Sequence, residues 1–164
     1  MALKHRSLGL AAGLAFLSAA AFAQQATIAF GDLEQDTTLP VEVTADQLAV
    51  NNADGKAVFT GNVKVIQGEM TLTAVEVQVN YGAELGDIEE LLASGGVIVT
   101  NLGDTATSRD AVYTIDSGVI VMTGDVVLTQ GPSTMNGQTL TINLKDGTGI
   151  MEGRVTTTFV PGGN

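Results

Sequence analysis

Apolar and polar residues alternate with a period of two along most of the chain from residue 41 onward. Val, Thr, Ile and Leu supply the apolar and β-branched positions, and Gly, Asn and Asp interrupt them at intervals of about fourteen residues. Such alternation is typical of β-strands that are buried on one face. Residues 83–92 are the stretch most compatible with a helix, and Gly86 in their middle argues against it. The pattern therefore predicts an all-β fold.

A repeated unit organises these strands. The segment from Phe59 to Gly68 (FTGNVKVIQG) recurs from Met122 to Gly131 (MTGDVVLTQG). Its glycine recurs at Gly61, Gly95, Gly124 and Gly153, at spacings of 34, 29 and 29 residues. A second element alternates with it and carries a small residue at Ala45, Ala74, Ser108 and Gly137, at spacings of 29, 34 and 29 residues. One unit is therefore two strands and two turns, and the unit containing residues 82–90 has an insertion of five residues.

Apolar residues change face within each copy of the second element. Leu72 and Ala74 have even residue numbers, whereas Val77 and Val79 have odd ones, so a regular strand would place the two pairs on opposite faces. One extra residue in a strand reverses the face of every later side chain, as happens at a bulge or bend. The glycines of the first element mark places where a strand bends or a neighbour comes close. Stacked antiparallel hairpins that bend midway form two sheets facing each other across an apolar interior.

The predicted inner face consists mainly of medium-sized apolar side chains. We expect it to include Phe59, Val63, Val65, Leu72, Val77, Val79, Val97, Val99, Tyr113, Val126, Leu128 and Ile142. An interior of such side chains need not fill itself as a core rich in Phe and Trp does. Two interpretations stay open from the residues alone: a sandwich with a dry core, and a groove that holds long acyl chains.

The N-terminal residues have the regions of a secretory signal peptide. Lys4, His5 and Arg6 are basic, residues 8–21 are apolar or small, and Ala21-Phe22-Ala23 has the form of a cleavage site. The apolar run of about 14 residues is shorter than the roughly 20 that a membrane-spanning helix needs. We expect a signal peptide over residues 1–23, a flexible arm over 24–40, a β domain over 41–160 and a tail over 161–164. The predicted location is the bacterial periplasm, with an uncleaved membrane anchor as the alternative.

Composition excludes most catalytic chemistry. The chain has no Cys, and its one His lies in the predicted signal peptide, so thiolate and imidazole sites lack their residues. The net charge of −11 has the wrong sign for a nucleic-acid partner. Arg109 follows a predicted bend, where either a lipid phosphate or a surface salt bridge would suit it. Several carboxylates lie at turns or on the outward face of a strand, so we expect them to be solvated surface residues and not a glycosidase pair or a calcium site. These are Asp110, Asp116, Asp125, Asp146 and Glu152. We expect no catalytic residue, no metal and no cofactor.

Two motifs carry a resemblance to a known family. The stretch from Val43 to Leu48 (VTADQL), followed by that from Phe59 to Gly68, resembles the start of the OstA-like domain of lipopolysaccharide transport proteins. That domain is shared by LptA, the inner-membrane protein LptC and the N-terminal domain of the outer-membrane protein LptD, and the resemblance covers residues 40–159. It implies a β-jellyroll of stacked V-shaped turns, open at both ends, with a hydrophobic groove for the acyl chains of lipid A. The predicted cleaved signal favours an LptA-like member over the other two.

The resemblance also implies partners. Domains of this family join head to tail, strand against strand, and bridge LptC and LptD across the periplasm. Unpaired terminal strands offer the backbone groups for such joining. We expect the joining edges to include Val41, Val43 and Leu48 at one end and Val155, Thr157 and Phe159 at the other. The expected partners are lipopolysaccharide through its lipid A portion, LptC, LptD and further copies of the chain. The alternatives are an anchored LptC-like relay, a structural β-solenoid with a dry core, and a small polysaccharide-active enzyme on the same scaffold.

Overall fold

Alternating apolar and polar residues form long strands, as the sequence predicts. The computed structural model describes residues 26–29, 35–51, 53–83 and 86–160, and within them the chain forms eleven strands and no helix. The strands are β1 (Ala26–Ala29), β2 (Glu42–Thr44), β3 (Gln47–Asn51), β4 (Lys56–Gln67), β5 (Met70–Tyr81), β6 (Ile88–Asn101), β7 (Asp104–Thr114), β8 (Val119–Gln130), β9 (Ser133–Asn143), β10 (Thr148–Glu152) and β11 (Thr156–Thr158). The predicted signal peptide (1–23) and tail (161–164) lie outside the described residues. None of the described segments is a helix of the length and apolar character needed to cross a membrane.

The described strands belong to one antiparallel sheet. Its order is β1-β10-β9-β8-β7-β6-β5-β4-β2, so each strand from β5 to β9 pairs with the strands before and after it in the chain. β3 also pairs with β4, and β11 also pairs with β9. β2 and β3 are thus the two halves of a first bent strand, and β10 and β11 are the two halves of a last one.

Each bend is a bulge at a repeated glycine. Between the cross-strand pairs 60–76 and 63–74, Gly61 and Asn62 lie opposite the single residue Val75. Both bulge residues have positive φ, 82° for Gly61 and 46° for Asn62. Paired positive φ angles recur at Gly95-Gly96, Gly124-Asp125 and Gly153-Arg154. The extra residue bends the strand, so the predicted bends are confirmed at the repeated glycines.

The bends fold the sheet over on itself. Tyr113 lies nine residues beyond Asp104 along β7, roughly 30 Å in an extended strand. Gln67 lies at the same end of the strands as Asp104. The Tyr113 hydroxyl nevertheless donates to Gln67 Oε1 over 2.6 Å. The two halves of the bent strands therefore form two facing walls, and the predicted all-β jellyroll of stacked antiparallel hairpins is confirmed.

Within the arm expected to be flexible over residues 24–40, residues 26–29 and 35–40 instead have defined structure, in β1 and in hydrogen bonds to the sheet. Residues 26–29 form β1, which pairs antiparallel with β10 so that Ala26 faces Met151 and Ala29 faces Thr148. These residues therefore cover part of the C-terminal edge of the sheet, beside β10. A segment this short is not identifiable as a strand from alternation, and in the structure it pairs with the backbone groups at the outer side of β10.

Phe159, which is expected at the C-terminal joining edge, lies beyond the last strand of the sheet. β11 ends at Thr158, and Phe159 beyond it is 75% exposed. Thr157, by contrast, faces the buried residue Met135 across the pair with β9. The alternation of faces holds only while the chain remains in the sheet, so it no longer fixes the direction of Phe159.

Candidate functional site

The inner faces of the two walls form one buried apolar layer. The predicted inner residues are at most 4% exposed, apart from Phe59, which is partly buried against the same layer. Seven further large side chains belong to this layer and were not predicted: Met70, Leu91, Ile120, Met122, Leu140, Leu144 and Met151. These residues follow the same alternation, so the signal that identified the others was sufficient to find them.

This interior is filled by its own side chains. The cavity lined by Met70, Val99, Leu128 and Ile142 has a volume of about 10 Å³. That is room for roughly one water molecule and not for an acyl chain. Where the described residues line it, the expected groove is therefore closed, and its predicted residues lie on the expected face.

A buried polar pair joins the two walls along the seam, the line opposite the bends where their rims meet. Gln67 lies at the rim of one wall, Tyr113 lies in the other, and both side chains are fully buried. Burial raises the pKa of Tyr113 to about 12, although the hydrogen bond to Gln67 alone would lower it. The hydroxyl therefore stays protonated at neutral pH and remains a donor across the seam.

Residues 35–40, here called the strap, cover this seam. Gln67 Nε2 donates to the backbone oxygens of Thr37 over 3.0 Å and of Leu39 over 2.9 Å. The side chain of Gln67 therefore bonds Tyr113 with its oxygen and the strap with its nitrogen. One buried amide thus fastens the strap to both walls.

The strap is also bonded to the opposite rim. The Gln35 N–H donates to Leu144 O over 2.8 Å, and the Gln35 side chain donates to the backbone oxygen of Gln67. Asp36 accepts from the hydroxyl and the N–H of Thr38, and these two bonds hold the pKa of the Asp36 carboxyl below its usual value. The strap is therefore a specific structure that spans the two rims.

A cleft of about 530 Å³ opens beside the strap. Its apolar lining includes Leu39, Val41, Ile88 and Ile115, and its polar lining includes Asp87, Asp116 and Lys145. Val41, Ile88 and Ile115 also pack against the buried layer. At this cleft, the apolar interior therefore comes within one side chain of solvent.

The N-terminal edge exposes apolar side chains of the inner face. Leu48 faces Phe59, and Val50 faces Ala57, across the pair with β4. Leu48 and Val50 are nevertheless 52% and 59% exposed, because β3 has no second neighbour among the described strands. Leu48 is one of the residues expected at the joining edge, and its side chain is accessible there. The remaining predicted edge residues of the two ends are partly buried: Val41, Val43, Val155 and Thr157.

Arg109 lies exposed beside a bend and not at the seam. Its Nε is 3.9 Å from Asp125 Oδ2, and the two side chains are 72% and 81% exposed. Of the two alternatives expected for Arg109, a lipid phosphate contact and a surface salt bridge, the structure shows the salt bridge. Such exposed pairs contribute little to stability. Among residues 26–29, 35–51, 53–83 and 86–160, no group of three or more acidic or imidazole side chains is placed to hold a metal ion.

The bent strands lie within a sequence pattern that is shared with a known protein family. The sequence pattern of the family described as "LptA/(LptD N-terminal domain) LPS transport protein" matches residues 42–148. The chain belongs to this family. The LptA/LptD N-terminal family pattern thus spans the walls from the start of β2 to the start of β10.

Individual relatives extend over most of the chain. An uncharacterised protein of Rhizobium meliloti is 30% identical over 143 residues, which cover 82% of this chain and 77% of that protein. The lipopolysaccharide export system protein LptA of Haemophilus influenzae is 25% identical over 140 residues, covering 79% of this chain and 81% of that protein. The crystal structure of LptH, the LptA-homologous periplasmic component of the lipopolysaccharide transport device of Pseudomonas aeruginosa, superposes with a TM-score of 0.69 at 18% identity, covering 77% of this chain and 99% of LptH. That likeness supports the fold.

Sequence reasoning missed the seam. Gln67 stands in the repeated segment that ends at Gly68, and the repeat places Gln130 at the equivalent position. Gln130 Nε2 donates to Asp104 Oδ2 over 2.7 Å, so both copies of this glutamine hold a neighbouring segment. Recurrence of a glutamine in an apolar repeat is the signal that points to such a role.

Proposed function

We propose that this chain carries lipopolysaccharide through the periplasm, with the acyl chains of lipid A held between the two walls. The observation that carries the proposal is a continuous buried apolar layer to which every strand from β4 to β10 contributes. The inner face ends at the N-terminal edge with the exposed side chains of Leu48 and Val50. Membership of the family supports lipopolysaccharide as the cargo.

Entry of an acyl chain requires the walls to separate along the seam. Contacts between the walls are then replaced by contacts with the lipid, and each methylene kept from water contributes roughly 0.8 kcal/mol. The opposing cost includes the three hydrogen bonds of the Gln67 side chain with Tyr113, Thr37 and Leu39, each worth about 1 kcal/mol. Burial of a single chain of about ten methylenes exceeds that cost. Relative to a lipid whose acyl chains are exposed to water, the lipid therefore supplies the free energy that opens the seam.

A continuous path across the periplasm requires more than one domain. The proposed mechanism joins the terminal strands of successive domains head to tail, with LptC at the inner membrane, LptD at the outer membrane and copies of this chain between them. Backbone pairing at a sheet edge supplies the affinity. The two joining edges differ, so the contact propagates along a line instead of closing as a dimer.

Photocrosslinking at matched inner and outer positions tests the lipid site. Val97 and Leu128 are at most 1% exposed in the interior, whereas Ile98 is 43% exposed and Val127 is partly exposed on the outer face. A photoreactive amino acid at Val97 or Leu128 should capture lipopolysaccharide in living cells, and one at Ile98 or Val127 should not. Circular dichroism of each purified variant verifies that the fold is retained. Equal capture at both faces would contradict an interior lipid site.

The filled interior favours a second candidate, a structural β-solenoid with a dry core. The cavity of about 10 Å³ is what such a core would show. The same experiment separates the two functions, because a dry core excludes lipid from every position. Folded Val97 and Leu128 variants that capture no lipopolysaccharide would therefore favour the structural function over transport.

A further inference from the structure

The last bent strand of the sheet is covered over only part of its outer edge. β1 pairs with β10 at four positions, from Ala26–Met151 to Ala29–Thr148. β11 pairs with β9 and has no neighbour on its other side among the described strands. The backbone groups on that side of β11 are therefore available to another strand, beside an edge that β1 already occupies.

The first bent strand is the natural complement of this edge. β2 (three residues) and β3 (five residues) lie on either side of a bend, as do β10 (five residues) and β11 (three residues). An antiparallel approach would place the five residues of β3 against β10 and the three of β2 against β11. A second copy of the chain thus offers backbone pairs along both halves, whereas β1 covers only four positions of one half.

β1 and a second copy compete for β10. β1 has the advantage of belonging to the same chain, which gives it an effective concentration of order millimolar. The incoming strand has the advantage of a longer ladder and of the uncovered edge at β11, where pairing starts before β1 is displaced. A pairing that requires release of a resident strand has its affinity reduced in proportion to the fraction of molecules in which that strand is released.

We infer that β1 is a removable cap on the C-terminal edge, and that head-to-tail joining replaces it with the β2–β3 strand of a second copy. This inference rests on the proposed head-to-tail assembly and adds the element that controls it. The cap prevents the edge from pairing indiscriminately, which is the hazard of any exposed strand. It also makes the association of copies depend on the release of four residues near the N-terminus.

A reversible lock provides the first test. Thr27 and Ile150 are register partners, and facing residues of antiparallel strands are about 4.5–5.5 Å apart, a span that a disulfide bridges. The chain has no Cys of its own, so Thr27→Cys with Ile150→Cys forms the only disulfide in the protein. The exported variant is compared oxidised and reduced, with each single cysteine variant as a control. Sedimentation velocity over a concentration series measures the association of copies.

A second variant removes the cap without a crosslink. Alternate residues of an antiparallel strand donate to a given neighbour, so Thr27→Pro with Ile28→Pro removes a donor from the pair with β10 whichever residue supplies it. We expect this variant to associate at least tenfold more tightly than the unmodified chain. The oxidised lock should associate at least tenfold more weakly than the same protein after reduction.

The outcomes separate the cap from the assembly itself. If oxidised and reduced proteins associate alike, and the proline variant associates no more tightly than the unmodified chain, β1 is not a cap although copies do join. If no form associates at any concentration, including the proline variant and mixtures with LptC or LptD domains, head-to-tail assembly is wrong and the cap with it.

Discussion

The bends depend on close packing at the repeated glycines, and Gly95 offers the sharpest test. Gly95 and Gly96 are consecutive bulge residues with φ of 85° and 92°. A Cβ atom added at Gly95 would lie 2.7 Å from Val75 Cβ, whereas one added at Gly96 would meet nothing within 4 Å. Gly95→Ala and Gly96→Ala therefore share the free-energy cost of a positive φ, and only Gly95→Ala adds a steric contact with Val75.

The expected magnitudes follow from these two terms. A left-handed conformation costs a residue with a Cβ roughly 1–2 kcal/mol, and this is the expected destabilisation for Gly96→Ala. Overpacking against the Cβ of Val75, which no rotamer change relieves, adds about 1–3 kcal/mol for Gly95→Ala. Gly95→Ala should therefore lower the free energy of unfolding by about 2–5 kcal/mol in total.

Urea unfolding followed by circular dichroism measures the free energy of unfolding of both variants. An unchanged slope m verifies that each variant unfolds in the same two-state transition as the unmodified chain. A double-mutant cycle then isolates the contact, because Val75→Gly removes the opposing Cβ. In that background, Gly95→Ala should cost no more than Gly96→Ala. Equal costs of the two substitutions in the unmodified chain, or no relief from Val75→Gly, would refute close packing as the reason for glycine at the bend.

Two further predictions concern the seam. The pKa of Tyr113 is raised to about 12 from 10.0, so the folded state is expected to lose about 2–3 kcal/mol of stability as the pH rises from 10 to 12. Urea unfolding at pH 8, 10 and 11 should show about half of this loss by pH 11 in the unmodified chain and none of it in Tyr113→Phe. An identical loss in both proteins would contradict the prediction. Gln67→Leu should destabilise the protein by about 2–4 kcal/mol, because it leaves the Thr37 and Leu39 carbonyls without their donor. The same change should speed hydrogen exchange at the Gln35 amide, and Gln130→Leu is the matched control. Equal exchange in the two variants would show that Gln67 does not fasten the strap.

The walls were predictable from the sequence because they rest on local alternation. The parity change from Ala74 to Val77 locates a bulge without knowledge of the partner strand, and the burial of both residues agrees with it. The repeated glycine predicts the same bends independently, since positive φ and close approach are what glycine permits. Each signal lies within about ten residues of the chain, so no long-range information was needed.

The closure of the interior was not predictable in the same way. The bond between Gln67 and Tyr113 joins residues 46 positions apart, and alternation records only the face of each residue. β1 pairs with a strand more than 110 residues away in the chain, and four residues are too few to carry a pattern. Packing density is also absent from the pattern, because the same apolar side chains line an open groove or fill a dry core according to how far apart the walls lie.

Pairing only between consecutive bent strands has a consequence for the length of the molecule. Each strand from β5 to β8 forms backbone pairs only with the strand before it and the strand after it, so a repeating unit of two strands is a building block in a one-dimensional stack. Strands in a sheet are about 4.8 Å apart, so each unit lengthens the stack by roughly 10 Å. Gain or loss of one unit would change the distance spanned by each molecule in steps of that size, with the bends, the rims and both end strands kept as they are.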